Sequence, residues 1–141
     1  MSKRKASNVA IKFFRKVGYN KPFLGPICQK GDVSIIALER GSLEKNTIES
    51  VRRVITRELN RSGKINIPLP FNIPCSSKPS GIRMGKGKGK ISKTIARISN
   101  GTVLLEIFTY DKVKALIALQ KAVKKLPFKT EIRLRSSFFN D

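Results

Sequence analysis

Histidine is missing from this chain of 141 residues, cysteine occurs only twice, and 9 acids face 30 lysines and arginines. Without histidine an ordinary zinc site cannot be completed, and Cys28 and Cys75 stand far apart with no CxxC spacing. No metal is expected, and both cysteines are read as free thiols without a role. Gly-x-Ser-x-Gly is absent too, and the few carboxylates are accounted for by helix ends and ion pairing. No catalytic residue, cofactor or small-molecule substrate is therefore expected. The longest apolar runs fall far short of the roughly 20 residues that a membrane span needs. No apolar stretch follows the basic N-terminus, so the expectation is a soluble protein, intracellular or organellar, without a membrane partner.

What the chain does have is positive charge. The formal net charge is +21 and the sequence pI is near 10.7. Solubility is served by a net charge of about 2–8 on a small domain. The excess opposes compaction unless a polyanion neutralises it, which selects nucleic-acid binding as the function class. The acids are also unevenly placed: none precedes Asp32 and none lies between Glu58 and Glu106. The first acid-free stretch carries Lys12, Arg15 and Lys16 among its cations; the second carries Arg61, Lys64, Lys78, Arg83, Lys86, Lys88, Lys90, Lys93 and Arg97. Such a layout suggests RNA-facing extensions grafted onto a folded core, and 40% apolar residues suffice for one modest core.

Residues 1–31 read as a basic N-terminal arm, broken by Gly18, Pro22, Gly25, Pro26 and Gly31. Its Phe13, Phe14, Tyr19 and Phe23 can stack on bases or anchor the arm to the core, and the sequence leaves both readings open. A domain over 32–135 follows, and 136–141 form a tail. Within the domain, 32–39 is a short apolar run predicted as a strand. A helix is predicted from Glu44 to Arg61, with Ile48, Val51, Ile55 and Leu59 on its inner face and Gly63 as its stop. Arg52, Arg53, Arg57 and Arg61 fall on its other sides. Lys64–Pro68 alternates as a strand, restricted by Pro68 and Pro70 to an edge or end. Residues 70–90, rich in proline and glycine, read as one long loop, uncommon inside a compact domain unless functional. Strands are expected at 91–98 and 102–108, joined as a hairpin by Asn100-Gly101. Asp111 should cap a second helix reaching about Leu126, with Val113, Leu116, Leu119/Gln120 and Val123 inward and Pro127 as its end. The stretch 130–135 alternates as a last strand. The fold class is α+β: two amphipathic helices on a mainly antiparallel sheet.

The segment that carries most chemistry is Arg83-Met84-Gly85-Lys86-Gly87-Lys88-Gly89-Lys90. Glycine at alternate positions permits positive φ and close backbone approach. The intervening lysines supply point charges suited to phosphate. It is not a P-loop, since no Gly-Lys is followed by Ser or Thr, and it is not a GxGxxG fingerprint, since Lys90 stands three residues after Gly87.

Arg83–Gly89, preceded by Lys78-Pro79, resembles the signature of the universal large-subunit ribosomal protein sixteen family. Further collinear blocks resemble it in order and spacing: Gly31–Val33, Ile48–Arg57, Gly63–Ile65, Gly101–Ile107 and Lys125–Thr130. The likeness spans roughly Lys12 to Arg135. It implies an α/β-hammerhead-like domain bound to large-subunit rRNA, next to neighbouring large-subunit ribosomal proteins. It also implies that the loop matching Arg83–Gly89 lies near the path of tRNA acceptor arms, so that the chain serves translation as a structural constituent. The site residues expected to contact RNA are Arg83, Gly85, Lys86, Gly87, Lys88, Gly89 and Lys90 in the loop. Arg52, Arg53, Arg57 and Arg61 join them on the helix, and Lys12, Arg15 and Lys16 in the arm. After Gly89 the chain departs from the usual bacterial pattern, with Ile91–Ile95 where an aromatic segment is common, so those aromatic contacts are not carried over. A basic DNA-architectural protein is the alternative from another class, although no helix-turn-helix spacing is visible. Lysine, isoleucine and asparagine usage points to an AT-rich genome, and the likeness beginning near Lys12 leaves little length for a presequence. The compartment expected is a mitochondrial ribosome, organelle-encoded, with a bacterial or plastid origin as the alternative.

Overall fold

The computed structural model of the chain describes residues 30–85 and 87–135. Seven strands and two helices follow in the order β1 (Val33–Ala37), β2 (Gly41–Glu44), α1 (Lys45–Glu58), β3 (Lys64–Asn66), β4 (Ile73–Ser77), β5 (Lys90–Ile98), β6 (Val103–Phe108), α2 (Lys112–Val123) and β7 (Thr130–Leu134). Residues 1–29, with Lys12, Arg15 and Lys16, lie outside the described residues, as do Lys86 and the tail 136–141.

The domain is α+β, but its strands form two antiparallel sheets where one was expected. One has the order β3-β6-β1-β7 and the other β2-β5-β4. In the first, Val33 lies opposite Ile107 and Leu134, Ile35 opposite Leu105 and Ile132, and Ile65 opposite Ile107. Paired residues share a face, so one side of this sheet is a continuous aliphatic surface that joins the core. The pleat then puts Asn66, Glu106, Ser34 and Arg133 in a row on the other side. Glu106 is nevertheless buried, and it accepts hydrogen bonds from Asn66 Nδ2 (3.3 Å) and from the backbone N–H of Lys30 (3.4 Å). Gly31 is required beside it, since a Cβ there would lie 2.7 Å from Glu106 Cβ. Asp32 then fixes the start of β1: its Oδ2 accepts from the Thr109 N–H and its carbonyl from Arg135 N.

Helix α1 buries the expected Ile48, Val51 and Ile55, with Leu59 just beyond its end. Its stop is not Gly63. Asn60 takes φ 49° and donates to the Arg57 carbonyl, while Arg61 N–H donates to Thr56 O, the two bonds of a Schellman ending. Gly63 serves packing instead, because a Cβ there would come within 2.9 Å of Leu59 Cδ1 and 3.1 Å of the Phe108 carbonyl.

Three further expectations are corrected. The Asn100-Gly101 turn forms, with Gly101 at φ 81°, but it does not make a hairpin: β5 and β6 belong to different sheets. The turn is held to β1 instead, by Gly101 N–H to the Ala37 carbonyl and Ala37 N–H to that of Thr102. The stretch 70–90 is not all loop, since 73–77 is strand β4, paired with β5 from Ile73↔Ile95 to Ser77↔Lys90. Pro74 is tolerated because β4 is an edge strand, and β3, beside Pro68, is an edge as well. Finally, α2 meets the expectation only in part: Leu119 is buried and Val123 packs against the core as expected, but the rest of its inner face differs. It buries Ala115, Ala118, Leu119 and Ala122, whereas Val113 is 67% exposed and Gln120 is exposed. Small side chains let α2 pack closely on α1, a contact that a search for large aliphatics overlooks. Asp111 caps α2 as expected, its Oδ1 accepting from Lys114 N–H (3.2 Å).

The helix contact makes a directional prediction. Ala118→Leu, inserted where no space remains, should destabilise by about 1–3 kcal/mol in urea unfolding. Val113→Ala on the outer side should stay within about 0.5 kcal/mol. Equal effects would mean that α2 is turned as the spacing of its large residues suggests.

Candidate nucleic-acid interface

Two of the expected clusters lie within the described residues, and the fold holds them apart. The first is the side of α1 away from the core, where Arg52, Arg53, Thr56, Arg57, Asn60 and Arg61 line one open groove. Spacings of three and four residues place Arg52, Arg53, Thr56 and Arg57 on neighbouring turns, and the helix ending adds Asn60 and Arg61 to the same groove. Their states differ. Arg52 grips Glu49 with two bonds, Nε to Oε2 at 2.9 Å and Nη2 to Oε1 at 2.8 Å, and Arg53 Nε adds a third at 3.3 Å. The Arg52 bond, with help from Arg53, holds the Glu49 carboxyl down to about 2 from its ordinary 4.5. Glu49 in turn raises the Arg52 guanidinium. No acid among the described residues pairs with Arg57 or Arg61, which therefore present their full charge to the groove. Two residues of the groove were not foreseen. Asn60 carries a readable signal, being the residue other than glycine that most readily closes a helix in the left-handed region. Thr56 carries none, and its hydroxyl is engaged by the Arg52 carbonyl at 2.9 Å.

The second cluster is the tip of the β4–β5 hairpin, residues 78–89. Arg83 and Lys88 are exposed here, as is Lys90 at the start of β5, and Met84 is fully so. The alternating glycines divide their work. Gly85 (φ 108°) and Gly87 (φ 80°) have open space around them and serve backbone conformation. At Gly89 a Cβ would lie 2.3 Å from the Ser77 carbonyl oxygen, so glycine is needed where the two strands close. Lys78 folds across the loop and donates to the Gly85 carbonyl.

The hairpin leaves the domain beside the N-terminal end of α1, where Glu44 pairs with Lys93 of β5. Arg57 and Arg61 stand at the other end, roughly 20 Å away by the helical rise of 1.5 Å per residue. The surface thus offers two separated cationic sites, one on a helix face and one on a projecting loop. Among the described residues no cluster of Cys, Asp or Glu could hold a metal, and no helix is long and apolar enough to cross a membrane. The arrangement suits contacts to phosphates at two distant points, and nothing in it activates a nucleophile.

The family model described as ribosomal protein L16p/L10e matches residues 6–133, and so takes in both clusters. The chain belongs to this family. The large ribosomal subunit protein uL16 of Neorickettsia sennetsu is 41% identical over 127 residues, covering 89% of this chain and 91% of the relative. A protein of the same name from a Sulfurovum species is 37% identical over 112 residues, covering 79% of each. Family membership makes the chain a ribosomal protein, a structural component rather than an enzyme.

The Glu49 clamp sets a measurable pH dependence. A carboxyl lowered by folding contributes stability above its unfolded value, here about 4.5, and loses it as pH falls toward 2. Its carboxyl carbon, followed by NMR in the full chain, should titrate near 2, and Arg52→Gln should return it toward 4.5. A midpoint near 4.5 in the unaltered chain would show the clamp to be open.

Proposed function

We propose that this chain is a structural constituent of the large ribosomal subunit that binds large-subunit rRNA and carries a Gly/Lys loop toward the tRNA acceptor path. The observation that carries the reading is the pairing of two cationic sites, unlike in form, on one small domain: a helix face on which Arg57 and Arg61 meet no acid among the described residues, and a hairpin tip whose sequence holds no acid. Arg53, Arg57 and Arg61, spaced by four residues, meet successive phosphates of an RNA strand. With Arg52 reinforcing them, they hold the domain to rRNA. On the hairpin tip, Arg83, Lys86, Lys88 and Lys90 reach a second RNA element, which in this reading includes tRNA acceptor arms in transit. Lys12, Arg15 and Lys16 extend the rRNA contact from the arm. Partners are rRNA, tRNA transiently, and neighbouring proteins of the subunit. The compartment we favour is a mitochondrial ribosome, supported by the lysine, isoleucine and asparagine usage and by the divergence after Gly89. The relatives from Neorickettsia and Sulfurovum support the bacterial alternative; fractionation of the source cell separates the two.

The test is binding of the full chain to large-subunit rRNA across a range of salt. With about eight phosphates engaged, log K should fall against log salt with a slope of roughly −7. Arg57→Ala and Arg61→Ala should each lower that slope by about 1. Arg83→Ala with Lys88→Ala should leave assembly into subunits intact while slowing tRNA accommodation. A slope near −2, or equal affinity for duplex DNA at matched salt, would overturn the reading.

A further inference from the structure

Helix α1 ends without a glycine. Asn60 and Arg61 both take positive φ, 49° and 64°. The backbone pins both: Asn60 N–H donates to the Arg57 carbonyl, Arg61 N–H to that of Thr56 and Ser62 N–H to that of Leu59. Glycine costs least at such positions, and asparagine is the side chain that tolerates them best. Arginine has no such tolerance, so backbone economy does not account for the pair. Strain of this kind persists where the surroundings fix it, and it clusters at sites that use the side chain. Here both side chains line the groove of about 520 Å³ on the outer side of α1.

The groove is built almost wholly of donors. Arg57 and Arg61 flank the ending, and a guanidinium donates at every nitrogen and accepts at none. The Thr56 hydroxyl is taken by the Arg52 carbonyl. Asn60 is the exception. It is exposed, no described residue bonds to its amide, and that amide carries a donor and an acceptor side by side. A phosphate only accepts, so it is held by the guanidiniums and leaves the Asn60 oxygen idle. Carboxylates of an acidic protein segment also only accept, and they leave the same oxygen unused. The edge of a nucleobase presents a donor next to an acceptor, the complement of the amide. An RNA base offers that edge to a protein when it is unpaired.

We propose that Asn60 reads the edge of one unpaired rRNA base, seated between Arg57 and Arg61, which hold the phosphates on either side of it. The proposal rests on the reading that this groove binds rRNA. The experiment compares the full chain with Asn60→Gly, which keeps the left-handed ending and removes only the amide, in binding to large-subunit rRNA. The Tm should not fall and the salt slope should not change, while affinity drops about tenfold. In base-specific chemical probing of the complexes, one or two unpaired bases shielded by the unaltered chain should become reactive, with the hydroxyl-radical footprint on the RNA backbone intact. Affinity and shielding equal to those of the unaltered chain overturn the proposal, since the amide then serves the helix ending alone. So does an affinity loss that comes with a lower Tm, a shallower slope or no newly reactive base. Arg61→Gly separates this proposal from the reading beneath it. Relief of the left-handed strain should raise the Tm by a few degrees, while loss of a phosphate contact lowers the slope by about 1. An unchanged slope there removes the groove as an RNA site, and the base contact with it.

Discussion

Like-charge repulsion is the force against which this chain folds, and the placement of its few acids decides where that repulsion is left. Every acid among the described residues works inside the domain. Asp32 holds Thr109, Glu39 reaches Lys129, Glu44 joins β2 to Lys93 of β5, and Glu58 joins α1 to Lys121 of α2. Glu49 clamps Arg52 and Arg53, Asp111 caps α2, Glu131 meets Arg133, and Glu106 is buried beside Asn66. Exposed pairs of this kind contribute only about 0–1 kcal/mol each. Their importance is spatial: they quiet the charge where elements meet. Among the cations left without an acid are those at the C-terminal end of the α1 face, Arg57 and Arg61, and Arg83 at the hairpin tip.

The parts of this arrangement legible in the sequence are those where side-chain size and structural period agree. Helix α1 could be read because Ile48, Val51, Ile55 and Leu59 recur at helical spacing opposite arginines, and the groove on its outer side follows from the same count. Helix α2 could be read only in part: Leu119 and Val123 were legible, but Ala115, Ala118 and Ala122 make the rest of its inner contact and the larger Val113 faces outward. Large residues mark a core only where helices stand far enough apart to need them. The Asn100-Gly101 turn shows a different limit. Local chemistry specifies that the chain turns there, but whether the strands on each side pair with one another depends on β1 and β2, which compete for β6 and β5. Strand β4 was hidden by Pro74, which rules out a central strand but not an edge. The burial of Glu106 in an otherwise apolar strand was equally unreadable, since it depends on the backbone of Lys30 and Gly31 crossing it from far away in sequence.

That same β4 changes the physical meaning of the Gly/Lys segment. A linker of this composition would sample many positions, and its cations would act as a diffuse cloud. Here the segment is the end of a paired ladder whose stem is continued from Ile73 to Ser77 and backed by β2 on the far side of β5. Freedom is confined to the tip, where Gly85 and Gly87 take positive φ, and it ends abruptly at Gly89, where the strands are too close for a side chain. Less conformational entropy is then lost when the tip meets a partner, because the stem is already ordered.

The separation of the two cationic sites has a physical consequence. Charge acts at a distance and is screened by salt, whereas the fit of a positioned side chain acts only at contact. The Glu49 clamp bears on both. It holds Arg52 and Arg53 in a fixed geometry beforehand while leaving Arg57 and Arg61 uncompensated, so part of the groove is preorganised and part supplies the attraction.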